Sequence, residues 1–571
     1  MGYAAGDDNI NPLKTDLYQL TMAQGFFNEG THEKETSYYM HWRMPPFKNA
    51  KYSVVAGLEE FIDYLKNFKF TEDDIAYLAS IEKKGKPLFT PEFLQYLKDT
   101  PLKIDVDAAP EGSIIASAGP VVRVSGPLVQ CQIVESIMLN IINRNSIIAT
   151  RASMITSIAQ NIGVALFGLR RAAEIGIGNV RSAFIGGAGI TADVDAARKL
   201  GIPATGTMAH AWIMNFQDDA KPNCQTELEA FTTYLTHMDN NTVLLVDTYD
   251  TKQGIRNAIT AAINTGIELD GIRLDSGELA ELTLYAKEQL DEAIKTHPEL
   301  FNKTKVFLTD GLYENKIVTL LGKLDKKHQA TNGTEFPREK LAFGIGTELA
   351  NTGPFRGGVY KVCSYILSHT SEEGVVSKFI KGVMKLAGVN EEDPTLPSSK
   401  ASIPGQQLDI IHLYKNGKIV AEMIIDHALG DYADMLSQGK AINMADNKTL
   451  VELPEFDEAR TLLVPVYKRN ELGVSEYVHA EPAKKTLTYN PNNIREVTDI
   501  GAIQKHHLQM RSALPREYID ITTPDKLPVL IDPRIHQHRI DIIAKTNGEL
   551  RVASEVSGSL TAAGQQPTKT L

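Results

Sequence analysis

Between residues 180 and 350 the chain repeats one plan, in which a short apolar segment ends in small, acidic or hydroxyl residues. The segments read SAFIGGAGIT, GIPATGTMAH, TVLLVDTYDT, GIRLDSGEL, KVFLTDGLY and LAFGIGTEL. Their apolar parts favour strands buried on both faces, and residues 252–266, 277–296 and 313–327 between them have the pattern of helices. This alternation predicts an α/β barrel whose functional residues lie at the carboxyl ends of its strands.

The composition is that of a soluble globular protein with more than one domain. The chain has 571 residues, of which 43% are hydrophobic and 23% charged. A net charge of −12 gives no support for binding to nucleic acid or to an anionic membrane surface. Cys131, Cys224 and Cys363 lie far apart and suit a reducing compartment. Because the N-terminus has no signal peptide pattern and no apolar run could span a bilayer, we expect a cytoplasmic protein.

The pattern outside the repeat predicts a second, α+β domain. Residues 12–145 mix predicted helices with predicted strands, and residues of about 355–530 are expected to complete this domain around a barrel at 146–354. Residues 555–571 contain few large apolar side chains and are predicted to be disordered. The predicted helices are 17–28, 52–68, 91–100, 127–143 and 146–162, and the predicted strands are 36–42, 359–362 and a pair within 407–425 joined by a turn at 416–417.

Three carboxylates follow predicted strands and are candidates for chemistry. Asp247 and Asp250 lie in VDTYD and Asp275 lies in RLDSG. Carboxylates clustered at barrel strand ends can hold Mg²⁺ together with substrate phosphates, and they can also stabilise a developing cation. The alternative is that each aspartate caps the helix that follows it.

The glycines of FGIGT, Gly344 and Gly346, would let backbone N–H groups approach a phosphate, and Thr347 would add a hydroxyl. A tight turn is the alternative for this short motif. In FGLRR, Phe167 can stack on a flat ligand while Arg170 binds an anion, although paired arginines often form a solvated helix face.

Arg273 and His210 also stand out. Arg273 lies inside an apolar strand just before Asp275, where an unpaired charge would be costly. His210 ends a run of small residues at a predicted strand end, which favours a catalytic role over a structural one.

These residues occur in a set of motifs that resembles the nicotinate phosphoribosyltransferase family. The set, in chain order, is TDLYQLTM (15–22), FGLRRA (167–172), IGG with a following Thr (185–191), GTMAH (206–210), VDTYD (246–250), RLDSG (273–277) and FGIGT (343–347). Seven motifs in one order make the resemblance specific over residues 12–365, and it continues more weakly through SKASIPG (399–405).

The resemblance implies a fold and an activity. It implies an irregular α/β barrel joined to an α+β domain that is assembled from N- and C-terminal segments, in a homodimer with active sites shared between subunits. It also implies that nicotinate and phosphoribosyl pyrophosphate react to nicotinate mononucleotide and pyrophosphate in NAD biosynthesis. Mg²⁺ is the implied cofactor, and ATP is an implied co-substrate in a ligase-type coupling through a phosphorylated histidine.

By motif, the resemblance assigns roles to individual residues. Phe167 and Tyr18 of the partner subunit would stack on the pyridine ring, and Arg170 and Arg273 would lie near its carboxylate or the phosphates. His210 would be the phosphohistidine, which makes the chain a phosphoprotein. The acids near the ribose and Mg²⁺ would be Asp247, Asp250 and Asp275, with Asp275 the candidate metal ligand, and the phosphate-binding turns would contain Gly311, Gly344, Gly346 and Thr347.

Four departures from the family pattern bear on base recognition and phosphate binding. Leu166 replaces an acidic residue, Thr191-Ala192-Asp193 replaces Thr-Ser-Asn, Gln406-Gln407 replaces a basic residue, and Thr309-Asp310-Gly311-Leu312 replaces a Ser-Gly-Asp-Leu type of tip. A nicotinamide phosphoribosyltransferase is the nearest alternative, but it has an aspartate where this chain has Ala192. Another sugar-phosphate barrel enzyme would leave FGLRR and TDLYQ without a role, and a non-catalytic relative would be expected to lack His210 or Asp275.

Overall fold

A computed structural model describes residues 11–116, 118–172, 177–350, 356–370, 376–384, 402–469, 475–477 and 500–546. Within these residues the chain forms three large sheets, one parallel, one antiparallel and one mixed. The predicted disordered tail at 555–571 and most of the segment 390–402 lie outside the described residues.

The parallel sheet lies at the centre of the predicted barrel region. Its six strands are neighbours in the order Val243–Leu245, Gly271–Leu274, Lys305–Leu308, Leu341–Ile345, Gly163–Leu166 and Ile190–Thr191. A single bridge from Thr191 to Ala204 extends the last edge. No strand pairing among the described residues joins this edge to Val243–Leu245, so the sheet is a curled half-barrel and not a closed one.

Helices connect these strands and cover the sheet. They are Gly178–Ile185, Val194–Leu200, His210–Met214, Asn223–His237, Thr251–Thr265, Leu279–Ile294, Pro298–Phe301, Glu314–Asn332 and Thr347–Ala350, with 3-10 turns at Leu169–Arg171 and Arg338–Lys340. Asp193 and Asp250 cap two of these helices with their side chains, and Gly266 ends one in the left-handed conformation (φ 66°). The strands and helices bury one large apolar core between them.

The antiparallel sheet combines segments from distant parts of the chain. Its seven strands are neighbours in the order Val376–Gly382, Val359–Thr370, Glu35–His41, Val122–Pro127, Asp105–Ala108, Val464–Arg469 and Ser475–Tyr477. Helices Leu17–Asn28, Leu58–Lys66, Glu72–Ala79, Pro91–Asp99, Leu128–Ile133 and Glu135–Ala159 accompany it, with two short ladders, Ser53–Val54 with Ile114–Ile115 and Glu82–Lys83 with Lys86–Pro87.

The mixed sheet is formed by later residues. Its six strands are neighbours in the order Leu450–Glu452, Lys440–Asn443, Val529–Ile531, Lys418–Asp426, Leu408–Lys415 and Glu458–Thr461. Helices Tyr432–Ser437, Ile500–Ala513 and 533–546 and the 3-10 turns His427–Leu429 and Arg516–Tyr518 surround it. The predicted α+β parts are therefore present. The domain boundaries at 145/146 and 354/355 stay predictions, and helix Glu135–Ala159 runs across the first of them.

The structure corrects several predicted elements. SAFIGG was predicted to be a strand, but it lies in and just after helix Gly178–Ile185, and only Ile190–Thr191 pairs in the sheet. GIPATGTMAH was also predicted to be a strand, but it is a loop with a single bridge at Ala204. The break predicted near residue 145 lies at Val134, and the first part of the helix predicted at 52–68 is the short strand Ser53–Val54.

No helix among the described residues is both long and apolar enough to cross a bilayer.

Candidate active site

Several of the predicted functional residues lie at the carboxyl ends of the parallel strands. Phe167 follows Gly163–Leu166, Asp247 follows Val243–Leu245, and Asp275 follows Gly271–Leu274. Thr309 to Gly311 follow Lys305–Leu308, and Gly346 with Thr347 follow Leu341–Ile345. Because all of these strands are parallel, their ends meet at one edge of the sheet.

Arg273, Asp275 and Thr309 form one hydrogen-bonded group, which we call the Arg273 triad. Arg273 Nε donates to Thr309 Oγ1 at 3.2 Å, and Thr309 Oγ1 donates to Asp275 Oδ1. Arg273 Nη2 lies 3.3 Å from Asp275 Oδ2. The charge predicted to be costly inside an apolar strand is therefore neutralised by the acid two residues later. Asp275 does not cap a helix, because the next helix begins at Leu279 after Glu278.

Phe167 lies against this triad. The Arg273 guanidinium carbon is 5.5 Å from the centre of the Phe167 ring, and the ring meets Phe307 edge-on at 5.5 Å. A Cβ atom at Gly344 would lie 2.6 Å from both Phe167 Cε2 and Thr309 Cγ2. The absence of a side chain at Gly344 therefore leaves room for the Phe167 ring. This steric role is separate from the phosphate contact that was predicted for Gly344.

Asp247 and His210 are bound from neighbouring loops. Ser276 Oγ donates to Asp247 Oδ2 at 2.5 Å, which joins the ends of two adjacent strands. Asp247 Oδ1 is buried and has no partner among the described residues. His210 Nδ1 is 3.1 Å from Thr248 Oγ1, so Nε2 is the ring nitrogen left for other partners. Arg273 Nη1 also donates to the carbonyl of Met208, two residues before His210, at 3.4 Å.

Asp250 is a helix cap, as the alternative interpretation stated. Its Oδ1 accepts from the backbone N–H of Gln253 at 2.7 Å at the start of helix Thr251–Thr265. Gln253 Nε2 donates to Asn257 Oδ1, and Asn257 Nδ2 donates to Glu227 Oε2 at 2.8 Å. Glu227 is 1% exposed, and burial, with the nearby Asp250 and Asp247 charges, raises the pKa of its carboxyl to about 7.

The remaining predicted residues lie near the strand ends without a hydrogen bond to the Arg273 triad. Arg170 is exposed in the 3-10 turn Leu169–Arg171. Gly311 has a φ of 48°, and Lys316 closes its turn by donating to the carbonyl of Asp310 at 2.6 Å. Gly346 accepts from the N–H groups of Leu349 and Ala350, and Thr347 begins a helix of one turn.

Tyr18 lies on a helix of the α+β part. It is on helix Leu17–Asn28, which packs on the helix Leu128–Ile133 in the α+β part, and its side chain is 51% exposed. Its hydroxyl accepts from Gln19 Nε2 at 3.0 Å. Exposure of a large aromatic side chain leaves its ring face open to another molecule.

The donor set suits a hard cation that also binds substrate phosphates. Among the residues described, no three or more His, Cys, Asp or Glu side chains are arranged to hold a metal. Mg²⁺ commonly uses one or two carboxylates, with water and phosphate oxygens for the rest. The free Oδ1 of Asp247 and the carboxylate of Asp275 fit that pattern.

Two residues at this site were not among the predicted ones. Thr309 was noted only as a departure from the family tip, although its place directly after an apolar strand was a usable signal. Glu227 lies on the buried face of helix Asn223–His237 with Ala230, Phe231 and Tyr234. An acid at i, i+3, i+4, i+7 spacing within an apolar face is an exception that the sequence could have revealed.

Comparison with known proteins gives a consistent result. The model described as the nicotinate phosphoribosyltransferase (NAPRTase) N-terminal domain matches residues 13–143, and that of the nicotinate phosphoribosyltransferase (NAPRTase) family matches residues 165–377. Nicotinate phosphoribosyltransferase of Bacillus subtilis (strain 168) is 36% identical over 406 residues, which cover 70% of this chain and 74% of the relative. The enzyme of that name from Dictyostelium discoideum is 28% identical over 553 residues, covering 89% and 85%.

The fold has the same relatives. The crystal structure of human nicotinic acid phosphoribosyltransferase superposes with a TM-score of 0.65 at 20% identity and covers 92% of this chain and 99% of that chain. With strand ends that carry the family's motifs and matches over most of its length, the chain belongs to the nicotinate phosphoribosyltransferase family.

Proposed function

We propose that this protein transfers the phosphoribosyl group from phosphoribosyl pyrophosphate to nicotinate, giving nicotinate mononucleotide and pyrophosphate for NAD biosynthesis, in a reaction coupled to ATP. The observation that carries the proposal is the Arg273 triad beside the Phe167 ring, since it places an anion-binding guanidinium next to an aromatic face. Nicotinate has a carboxylate on a flat ring and suits both features.

In this mechanism the nicotinate ring lies on Phe167, and Arg273, assisted by Arg170, binds its carboxylate. The ring nitrogen is itself the nucleophile, so no serine or cysteine nucleophile is needed. Its lone pair forms the new bond to the ribose C1 while the bond from C1 to the pyrophosphate oxygen breaks, and the electron pair leaves with pyrophosphate.

The acids and the turns act on opposite charges in that step. Asp247, Asp250 and Asp275 stabilise the positive charge that develops on the ribose. Backbone N–H groups in the turns at Gly311, Gly346 and Thr347 bind the phosphates, whereas Gly344 lies inside strand Leu341–Ile345 and makes room for the Phe167 ring. Mg²⁺, held by Asp275 with the free oxygen of Asp247 nearby, would supply charge neutralisation at the leaving pyrophosphate.

The choice of nicotinate over nicotinamide rests on two neighbouring residues. Ala192 offers no acceptor to a carboxamide NH₂. The Asp193 carboxylate accepts from the N–H of Ala196 at 3.0 Å as a helix cap and is only 8% exposed. The cap of helix Val194–Leu200 gives the Asp193 carboxylate a structural role that needs no amide substrate.

ATP coupling would pass through His210. The Thr248 contact at Nδ1 leaves Nε2 for the phosphate, so the bond from the γ-phosphorus to ADP would break as a bond to Nε2 forms. His210→Ala should abolish acid-labile phosphate incorporation and ATPase activity while some ATP-independent transfer survives. Unchanged stimulation by ATP would refute this role, and a lower melting temperature with normal turnover would make His210 structural.

We further propose that the protein acts in the cytoplasm as a homodimer. Tyr18 is exposed on helix Leu17–Asn28, and it would complete the ring sandwich in the site of the other subunit. A fully active monomer in sedimentation would contradict this arrangement.

The deciding experiment for the whole proposal is a substrate comparison. Pyrophosphate release should be measured with nicotinate or nicotinamide, each with and without ATP. Nicotinate should be strongly preferred, and an equal or higher kcat/KM with nicotinamide would overturn the base choice. Release with neither base would overturn the proposed reaction.

A further inference from the structure

We propose that Thr309 is a positioning residue whose hydroxyl keeps Arg273 and Asp275 from closing into a two-point ion pair, so that Arg273 remains available to the anionic substrate. The inference rests on the proposed function for the identity of that substrate. It concerns a residue whose own contacts are with the triad and not with the reacting atoms.

The Thr309 hydroxyl lies between Arg273 and Asp275. Thr309 Oγ1 accepts from Arg273 Nε at 3.2 Å and donates to Asp275 Oδ1, with the carbonyl of Leu274 at 3.3 Å as a weaker acceptor. One oxygen atom is thus inserted between the side of the guanidinium and one carboxylate oxygen. Arg273 Nη2 and Asp275 Oδ2 form an ion pair at 3.3 Å.

Arg273 has more hydrogen-bond donors than its protein contacts use. A guanidinium has five N–H groups, one on Nε and two on each terminal nitrogen. Thr309 takes the one on Nε and Met208 takes one on Nη1, and Nη2 makes an ion-pair contact with Asp275. One N–H on Nη1 and both on Nη2 have no hydrogen-bond partner among the described residues, so the guanidinium keeps donors for a carboxylate or phosphate.

Loss of the Thr309 hydroxyl would change how Arg273 pairs with Asp275. Arginine and carboxylate prefer a parallel two-point pair, and Nε with Nη2 would form one with Asp275 once Nε lost its acceptor. The guanidinium would then turn away from its position 5.5 Å from the Phe167 ring, and the Asp275 carboxylate would be covered. The variant would gain a strong ion pair and lose affinity for the anion. A loss of affinity without a loss of stability therefore distinguishes positioning by Thr309 from a purely structural role.

The side chain of Thr309 is itself held in position. Its Cγ2 atom would lie 2.6 Å from a Cβ at Gly344, and its backbone N–H donates to the carbonyl of Leu274 at 3.0 Å. The methyl group therefore packs at the edge of the Phe167 site, and the hydroxyl is directed toward the triad.

The test compares Thr309→Val with Thr309→Ser. Valine keeps the shape and removes the hydroxyl, and serine keeps the hydroxyl and removes the methyl group. We expect Thr309→Val to lower kcat/KM for nicotinate by roughly 10- to 100-fold, mainly through KM, and Thr309→Ser to stay within about threefold of wild type. Nicotinate binding measured by calorimetry should fall in parallel, without a lower melting temperature in Thr309→Val.

A second variant calibrates the loss of a hydroxyl that has only a structural role. Thr304, just before the same strand, donates to the carbonyl of Leu269 at 2.6 Å and is 2% exposed. Thr304→Val should lower the melting temperature and leave the KM for nicotinate unchanged.

The outcomes are distinct from those of the proposed function. Turnover of nicotinate by the wild-type protein decides the proposed reaction, and the difference between the two Thr309 variants in calorimetry decides this inference even without turnover. Equal nicotinate affinity in Thr309→Val and wild type would overturn it. A Thr309→Val protein that loses affinity only in proportion to a lower melting temperature, as an unfolding variant would, also overturns it.

Discussion

Gly344→Ala tests whether the place of the Phe167 ring sets the affinity for the base. The added Cβ would lie 2.6 Å from Phe167 Cε2, 2.7 Å from Phe167 Cδ2 and 2.6 Å from Thr309 Cγ2. Carbon atoms pack at about 3.5–4.0 Å. Phe167 and Thr309 must therefore retreat by about 1 Å, because the strand Leu341–Ile345 is held by hydrogen bonds on both sides.

The expected cost follows from that displacement. A shift of about 1 Å in a positioning group can lower catalysis by roughly 100-fold, whereas overpacking of this kind destabilises a fold by about 1–3 kcal/mol. We therefore expect kcat/KM for nicotinate to fall by roughly 100-fold in a protein that remains folded at assay temperature. Gly344 has no left-handed backbone conformation, so the effect is steric and not a matter of glycine's φ.

The assay is pyrophosphate release at varied nicotinate and saturating phosphoribosyl pyrophosphate, with thermal unfolding measured in parallel. Gly163→Ala is the matched control, because Gly163 begins the neighbouring strand and a Cβ there meets nothing within 4 Å. Wild-type kinetics in Gly344→Ala, together with normal stability, would refute the reasoning. The same loss in Gly163→Ala would do so as well.

Three further predictions concern other parts of the site. Folding raises the pKa of the Glu227 carboxyl to about 7, so its stabilising contribution is complete at low pH and is lost as the pH rises through about 7. Relative to wild type, Glu227→Gln should therefore gain up to roughly 3 kcal/mol in free energy of unfolding between pH 5 and pH 8, measured by thermal unfolding. A difference between the two proteins that stays constant with pH would count against this. A Cβ at Gly254 would lie 2.0 Å from the Val246 carbonyl oxygen, so Gly254→Ala should displace the start of helix Thr251–Thr265 together with Asp250. We expect this displacement to lower kcat by roughly 10-fold or more. An unchanged kcat would show that the position of this helix start does not affect catalysis. Mixing inactive Tyr18→Ala and Phe167→Ala proteins should restore up to about a quarter of wild-type activity if sites are shared between subunits, and no recovery in proven mixed dimers would contradict sharing.

Local signals allowed much of the fold to be predicted. The helix predicted at 17–28 has those bounds, and the turn predicted at 416–417 joins two strands with positive φ values of 50° at Asn416 and 71° at Gly417. An Asn-Gly pair favours such a turn because both residues tolerate that conformation. The strand and helix alternation predicted the four strands Val243–Leu245, Gly271–Leu274, Lys305–Leu308 and Leu341–Ile345, but strand Gly163–Leu166 was not predicted.

The secondary-structure predictions failed in segments whose apolar residues do not distinguish the repeat of a helix from that of a strand. SAFIGG is a short run of small and apolar residues, so a buried helix and a buried strand are equally compatible with it. The helix Glu135–Ala159 has no proline or glycine to mark its start at Val134. The roles of Thr309 and Gly344 depend on contacts with Arg273 and Phe167, residues brought close only by the pairing of neighbouring strands, and the sequence alone gives no distances between them.

The order of strands in the seven-stranded sheet has a consequence for synthesis of the chain. Glu35–His41 pairs on one side with Val359–Thr370, which leaves the ribosome roughly 320 residues later, and Asp105–Ala108 waits similarly for Val464–Arg469. At about 5–20 residues per second, the first edge stays open for roughly 15–60 s. Such an edge can pair with other nascent chains, so this sheet is where assistance by chaperones would matter most. A gene truncated after residue 377, where the family match ends, would leave the edge at Asp105–Ala108 permanently uncovered.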